Sequence, residues 1–124
     1  MMRTIAGVLV GAVIWLASVF VLGFVLREAW PEMAAIKQVT LLTVPMLFAR
    51  LAVSALSSVV SGYAAGLVGR DSFRAPLGAG VLLLILFVPY HMTIWSDFPV
   101  WYHLSFFVSL PLLSLVGGAL SARR

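Results

Sequence analysis

The two histidines of the chain, His91 and His103, flank a single acid within residues 89–103. Asp97 stands midway between them, six positions from each. If a turn between two antiparallel helices is centred on Asp97, the imidazoles reach the same depth and can face each other. Two imidazoles near a carboxylate can ligate a metal ion or an iron porphyrin, although two ligands are too few to specify zinc. One hypothesis is therefore a haem- or metal-binding electron carrier that uses His91 and His103.

The same stretch has a second interpretation, because it is rich in amphipathic aromatic residues: Tyr90, Trp95, Phe98, Trp101 and Tyr102. Such residues, and histidine with them, are typical of the boundary between lipid headgroups and hydrocarbon. Pro99 and Ser96 are residue types that favour a turn. An aromatic belt at a membrane surface accounts for every residue of the stretch, and it is the preferred interpretation.

Arg50 follows Pro45 in an apolar run and starts a polar stripe at helical spacing that continues through Ser54, Ser57, Ser58 and Ser61. A planar guanidinium with five donors suits a phosphate, a carboxylate or a small anion. The stripe therefore predicts an anion- or lipid-binding site, with Tyr90 as a further polar group. The alternative is that Arg50 snorkels to lipid headgroups or pairs with a loop acid such as Asp97 or Glu32.

Two prolines lie within apolar runs near the aromatic belt. Pro89 and Pro111 each remove a backbone hydrogen bond and are expected to bend their helices. Bends just inside the belt can open an outward-facing cavity. Its expected polar lining is Arg50, Tyr90, His91 and His103.

Small residues recur every four positions in two neighbouring rows of the same run. The first row is Ser54, Ser58, Gly62 and Gly66, and the second is Ser57, Ser61, Ala65 and Gly69. Such rows let another helix approach closely in lipid, and Gly7 with Gly11 offers a counterpart near the N-terminus. The rows predict close helix packing within the chain, with contact between copies as the alternative.

Composition places the chain in lipid, since 63% of its 124 residues are hydrophobic, 10% are charged and the mean hydropathy is +1.13. Four apolar runs reach the length of about 20 residues that a helix needs to cross a membrane. We expect an all-α integral membrane four-helix bundle of two antiparallel hairpins, forming one transmembrane domain over 1–124. The predicted helices are 4–26, 45–69, 75–95 and 102–122, with 31–44 as an interfacial extension of the second.

Basic residues favour one orientation, because short cytoplasmic loops carry an excess of Lys and Arg. With four crossings, one side holds Arg3, Arg70, Arg74, Arg123 and Arg124, and the other holds Arg27 and Lys37. Both termini are therefore expected to be cytoplasmic, as in a multi-pass protein of a bacterial inner membrane.

Several kinds of chemistry are excluded. The chain has no cysteine, so it has no disulfide and no thiolate nucleophile, and it contains no phosphate loop, serine elbow or zinc-ligand spacing. No basic cluster with interleaved aromatics indicates nucleic acid. We predict no catalytic residue and no cofactor.

In size the chain is similar to the small multidrug exporters and fluoride channels, but it lacks the acid of the exporters' first helix and contains no asparagine.

Three functional hypotheses remain. The leading one is a non-enzymatic subunit, assembly factor or scaffold that packs against a second copy or a larger membrane protein. The second is a small oligomeric transporter or channel for an anion or an amphiphile such as a lipid, with Arg50 as the charge-selecting residue. The third is the electron carrier based on His91 and His103.

Overall fold

The computed structural model describes residues 1–38 and 41–122 of the chain. Helices and turns make up this part, with no strand among the described residues. The α-helices are α1 (Met2–Ala29), α2 (Pro31–Ala34), α3 (Val44–Gly69), α4 (Arg74–Thr93) and α5 (Val100–Ser121), and a single 3-10 turn (Trp95–Asp97) joins α4 to α5. Arg123 and Arg124, which entered the orientation argument, lie outside the described residues.

The helices α1, α3, α4 and α5 are long and apolar enough to cross a membrane by length and composition. The prediction of an all-helical chain with four long apolar helices is confirmed. The expected interfacial extension over 31–44 is corrected: helix covers only Pro31–Ala34, residues 35–38 are not helical, and residues 39 and 40 are outside the described part. A segment this short cannot sustain a helix without packing along its length.

Local sequence explains where α3 begins and ends. Its first turn follows Thr43, whose hydroxyl accepts a hydrogen bond from the Met46 amide, and Pro45 occupies the first turn, where a missing N–H costs nothing. The helix ends at Gly69, and Arg70 adopts the left-handed conformation that closes many helices (φ 53°). Only four residues separate the end of α3 at Gly69 from the start of α4 at Arg74, so the two helices meet in a tight turn.

Contacts between small residues define how α1 packs. A Cβ atom built on Gly7 would lie 2.7 Å from the Ala65 carbonyl oxygen, and one on Gly11 would lie 3.2 Å from the Ser61 carbonyl oxygen. Residue numbers therefore rise along α1 as they fall along α3, so the two helices run antiparallel. The same two glycines contact Ala75 and Ala79 of α4, which runs parallel to α1.

The fifth helix packs against α3 and α4. A Cβ atom on Gly62 would overlap the Ser114 carbonyl oxygen, and one on Gly117 would overlap the Val59 carbonyl oxygen. The Ser114 hydroxyl donates to the Pro76 carbonyl oxygen at 2.5 Å, which ties α5 to the start of α4. We call the end that holds the start of α1 and the α3–α4 turn the terminal end, and the end that holds the α4–α5 turn the loop end.

The interior and the exterior are both apolar. A cluster of Ala12, Trp15, Leu83, Phe106 and Leu110 fills the middle of the bundle, and Leu47, Phe98 and Tyr102 form a second cluster near the loop end. Large apolar side chains also cover the outside, among them Phe20, Phe24, Ile85 and Leu112. Soluble proteins rarely expose an apolar surface of this extent.

A candidate binding cavity at the loop end

A cavity of about 370 Å³ opens between α1, α3, α4 and α5 toward the loop end. Along α1 its lining runs from Trp15 to Arg27, about 18 Å at the rise of an α-helix. The cavity exists because α1 and α4 meet through small residues at the terminal end, where Gly11 contacts Ala79, and through the bulky rings of Trp15 and Phe87 farther along. A Cβ atom built on Gly23, farther along α1, meets nothing within 4 Å. The two helices therefore diverge toward the loop end.

Most of the wall is aromatic or aliphatic. Trp15, Phe87 and Phe106 form its deep part and stack edge to face or tilted on one another, with ring centroids 5.0–6.2 Å apart. Phe98, Tyr102 and Ile94 line the part nearest the loop end. This wall suits the apolar part of a ligand.

Among the described residues, two arginines and no acidic side chain line the cavity. The guanidinium carbon of Arg50 lies 5.4 Å from the centre of the Phe98 ring, a cation–π contact. Arg27 approaches from the end of α1. A smaller cavity of about 250 Å³ adjoins the first and shares Arg27, Met33 and Arg50 with it. The two arginines therefore lie where the cavities join. Neither lining contains Asp97 or Glu32, the loop acids that are the alternative partners of Arg50.

The predicted serine stripe divides into one free hydroxyl and three that are used in packing. Ser57 and Ser58 donate to the carbonyl oxygens one turn earlier, at 2.8 and 2.9 Å, and Ser61 donates to the Gly11 carbonyl oxygen at 2.6 Å. Ser58 also accepts from the Trp15 indole at 3.1 Å. Ser54 lines the cavity, is only 5% exposed, and its hydroxyl has no hydrogen-bond partner among the described residues.

A buried polar group without a partner is uncommon, because leaving it unsatisfied costs about 1–3 kcal/mol. The Ser54 hydroxyl is such a group, and it is sealed within the wall beside the cavity, so it offers no direct contact to a ligand. Of the stripe, Arg50 and Ser54 belong to the cavity, while the other three serines do not.

The two histidines face each other, as the spacing predicts. Their Nδ1 atoms are 2.6 Å apart, and the Nε2 atom of His103 lies 3.0 Å from the Trp95 carbonyl oxygen. His103 is fully buried and stacks on the Trp95 ring at 4.4 Å, whereas His91 stacks on Phe106 at 4.5 Å and lines the cavity. Of the expected polar lining, Arg50, Tyr90 and His91 reach the cavity, and His103 lies behind His91.

This arrangement does not present two ligand atoms to one metal ion. The Nδ1 atoms are at hydrogen-bond distance from each other, and the remaining nitrogen of His103 is engaged by a carbonyl. In the described part of the chain no group of three or more potential ligand side chains could hold a metal ion. One nitrogen, Nε2 of His91, is left for chemistry in the cavity.

The predicted packing residues divide between two neighbours of α3. Gly7 and Gly11 of α1 meet the second small row, at Ser61, Ala65 and Gly69. The first row turns toward α5, because Cβ atoms on Gly62 and Gly66 would overlap Ser114 and Ser121. The rows are therefore buried within the chain.

Among the cavity residues that sequence reasoning missed are Trp15, Arg27 and Tyr102. Arg27 counted only toward orientation, and Tyr102 only toward the aromatic belt. The antiparallel register of α1 and α3 carries the missing signal, because it brings Arg27 and Arg50 to the same end of the bundle.

Comparison of this chain with models of known protein families, with curated proteins and with solved structures finds no significant match to any of them, so its function has to be inferred from its own geometry.

Proposed function

We propose that this chain is an integral membrane protein that holds an anionic amphiphile in the loop-end cavity. The observation that carries the proposal is the pair of arginines, without any acid, at one end of an aromatic-walled cavity. The arginines suit a phosphate or carboxylate headgroup, and the aromatic wall suits an acyl or prenyl chain.

Insertion in a membrane is supported by the four long apolar helices and by the apolar side chains on the outside of the bundle. The described arginines support an orientation with both termini in the cytoplasm. Arg3, Arg70 and Arg74 lie at the terminal end, and Arg27 and Lys37 lie at the loop end. In this orientation the cavity belongs to the outer leaflet.

The divergence of α1 and α4 supports a route for the ligand from the bilayer. Open space around Gly23 and the exposed ring of Tyr90 mark the gap between the two helices. An amphiphile can slide through such a gap with its chain in lipid, so its headgroup need not cross the loop end. A free inorganic ion would leave the aromatic wall unused.

Transport of the ligand, and assembly with a second copy or a larger partner, remain predictions. The scaffold hypothesis drew on the small-residue rows, and these are buried between α1, α3 and α5. The proposal therefore gives priority to ligand binding over the scaffold role.

The test is binding of dodecyl methyl phosphate, a single-chain phosphodiester, to the full chain in dodecyl maltoside micelles by isothermal titration calorimetry. Arg50→Gln is expected to weaken binding about 10- to 100-fold, because a charge-assisted hydrogen bond contributes about 1.5–3 kcal/mol. Arg3→Gln, at the terminal end, is the matched control and should leave the affinity unchanged.

A second arm separates an amphiphile site from a plain anion site. Dimethyl phosphate carries the same headgroup without a chain and is expected to bind at least about 10-fold more weakly, because it cannot bury apolar area on the aromatic wall. Equal affinity of the native chain and Arg50→Gln, or equal weakening by both arginine substitutions, would contradict the proposal.

A further inference from the structure

The hydrogen positions in the histidine pair follow from the partners of each nitrogen. The Trp95 carbonyl oxygen can only accept, so Nε2 of His103 carries a hydrogen and donates it at 3.0 Å. At 2.6 Å the two Nδ1 atoms share one hydrogen. When His103 is neutral its Nδ1 is an acceptor, and the shared hydrogen belongs to Nδ1 of His91. In the neutral ring of His91, Nε2 is then an unprotonated acceptor.

Nε2 of His91 is left to the cavity. It has no hydrogen-bond partner among the described residues. Unlike the Ser54 hydroxyl, the one buried side-chain atom without a partner in that part of the chain, it is not completely shielded from solvent. His91 is itself only 4% exposed and lines the cavity, so access to Nε2 is through the cavity.

The charged and titratable groups that line the cavity or contact His91 are all cationic or neutral in the described part of the chain. They are Arg27 of α1, Arg50 of α3, Tyr90 of α4, and Tyr102 and His103 of α5, with no acid in the cavity lining. An anion held by Arg50 therefore shares the cavity with a bare lone pair on His91, because both side chains line it. Two acceptors cannot bond without a hydrogen between them, and burial makes an unpaired contact of this kind costly.

We propose that binding of an anionic amphiphile in this cavity is coupled to the uptake of one proton at Nε2 of His91, with His103 as the residue that positions the ring. This inference rests on the proposed function. The proton comes from water and forms an N–H bond at Nε2, which donates to an oxygen of the bound anion. Nδ1 keeps its hydrogen and its bond to His103. A monoanion and a proton enter together, so the charge of the cavity is unchanged by loading.

The choice of probe makes the proton count unambiguous. Dodecyl methyl phosphate is a phosphodiester and holds no proton near neutral pH, so any proton taken up on binding goes to the protein. Titrations of the full chain at about pH 7.5 in HEPES and in Tris differ in apparent enthalpy in proportion to the protons exchanged. We expect an uptake approaching one proton per ligand, and an affinity that falls about 10-fold for each unit of rising pH above neutrality.

Two substitutions assign the proton. His91→Gln keeps a side-chain amide that can donate to the anion but cannot titrate, so binding should persist while the proton uptake and the pH slope disappear. His103→Gln should weaken binding yet leave the uptake near one, because Nε2 of His91 still titrates. Uptake that disappears with His103→Gln and persists in His91→Gln would assign the proton to the wrong ring and overturn the inference.

The native chain alone also tests the inference, independently of how the variants fold. Measurable binding without proton uptake would overturn the coupling and leave the proposed function standing. Absence of binding between about pH 6 and pH 8 would overturn both, since the range spans the usual titration of histidine.

Discussion

Buried serine hydroxyls of the bundle fall into two groups, those that hydrogen-bond across helices and one that makes no hydrogen bond among the described residues. Ser61 of α3 and Ser114 of α5 donate across helices, to the carbonyl oxygens of Gly11 and Pro76 at 2.6 and 2.5 Å. Bonds of this kind contribute about 0.6 kcal/mol each in a membrane bundle. Ser54 makes no such bond, and its buried hydroxyl has no partner among the described residues. Serine hydroxyls therefore join the helices at the terminal end, whereas the Ser54 hydroxyl beside the cavity stays unsatisfied.

Gly62 makes the tightest contact of any glycine in the bundle, so adding one methyl group there is expected to lower stability strongly. Gly62→Ala would place its Cβ atom on the Ser114 carbonyl oxygen, which is backbone and cannot move aside alone. We expect the free energy of unfolding to fall by about 1–3 kcal/mol, because α3 and α5 must separate. An SDS titration of the protein in mixed micelles, followed by circular dichroism, measures the change.

Gly23→Ala is the matched control for this substitution. Its Cβ atom meets nothing within 4 Å, and alanine is the better helix former, so stability should rise by about 0.5–1 kcal/mol. If both substitutions change stability alike, helix propensity rather than the α3–α5 contact governs this position.

Residue types alone identified part of the candidate site. Arg50 was conspicuous because a cation in an apolar run needs an explanation, and the spacing of the histidines predicted that they would meet. Sequence could not separate Ser54 from Ser58, because both lie on one stripe and only the position of Trp15 decides which is covered. It could not rank His91 above His103 either, since the difference depends on which ring the Trp95 carbonyl engages.

At the scale of elements, the α3–α4 turn is held by one carboxylate. Asp71 accepts hydrogen bonds from the backbone amides of Phe73 and Arg74 at 2.8 and 2.9 Å, an Asx-turn cap that precedes the helix's own N-cap residue, Phe73. These bonds, with that from Phe73 the stronger influence, hold the pKa of the Asp71 carboxyl below its usual value. The cap favours the ionised form, so it contributes stability at neutral pH.

Asp71→Ala is expected to reduce the free energy of unfolding by about 0.5–1 kcal/mol at neutral pH, because the turn loses two solvent-exposed hydrogen bonds. The pKa is lowered in the folded state, so the contribution is complete above the ordinary carboxyl pKa. It is lost as the pH falls through the lowered value. Melting temperatures of native and variant chains should therefore differ at neutral pH and converge in strong acid.

Asp97→Ala serves as the control for the cap, because the Asp97 side chain makes no hydrogen bond within the part of the chain that the structure describes. Its effect should be small at both pH values. A difference between native and Asp71→Ala that persists unchanged in strong acid would show that the carboxylate is not what stabilises the turn.

The elements were the most predictable level of this chain. The length of each apolar run predicts a helix, and proline in the first turn of α3 predicts where that helix begins. The segment after Trp30 was harder, because its mixture of apolar and polar residues fits a surface helix, yet only Pro31–Ala34 is helical. Short segments depend on tertiary contacts that composition does not specify.

At the scale of the whole molecule, the bundle is narrow at one end and wide at the other. Small residues gather at the terminal end, where Gly7 and Gly11 meet Ala75 and Ala79, and bulky rings gather toward the loop end, around Trp15 and other aromatics. Helices that touch through small residues at one end and through rings at the other must diverge. The cavity is a consequence of this gradient in side-chain size, which no single motif reveals.

Membrane orientation provides the last prediction. Because the chain contains no cysteine, a single introduced cysteine is the only thiol that a maleimide can label. Glu32 and Ser96 are exposed at the loop end, and Ser72 is exposed in the α3–α4 turn. In intact bacterial cells that express each variant, a membrane-impermeant maleimide should label Glu32→Cys and Ser96→Cys directly, but Ser72→Cys only after the membrane is permeabilised.

This pattern follows from the arrangement of the helices across the bilayer. Both loop-end positions belong to one side if α1, α3, α4 and α5 each cross once, and the proposed orientation, which rests on the surplus of basic residues, puts the terminal end in the cytoplasm. Labelling of Ser72→Cys alone in intact cells would reverse the orientation and place the cavity in the inner leaflet. Different accessibility of Glu32→Cys and Ser96→Cys would mean that α3 and α4 do not form a pair of crossings, and the four-crossing proposal would then fail.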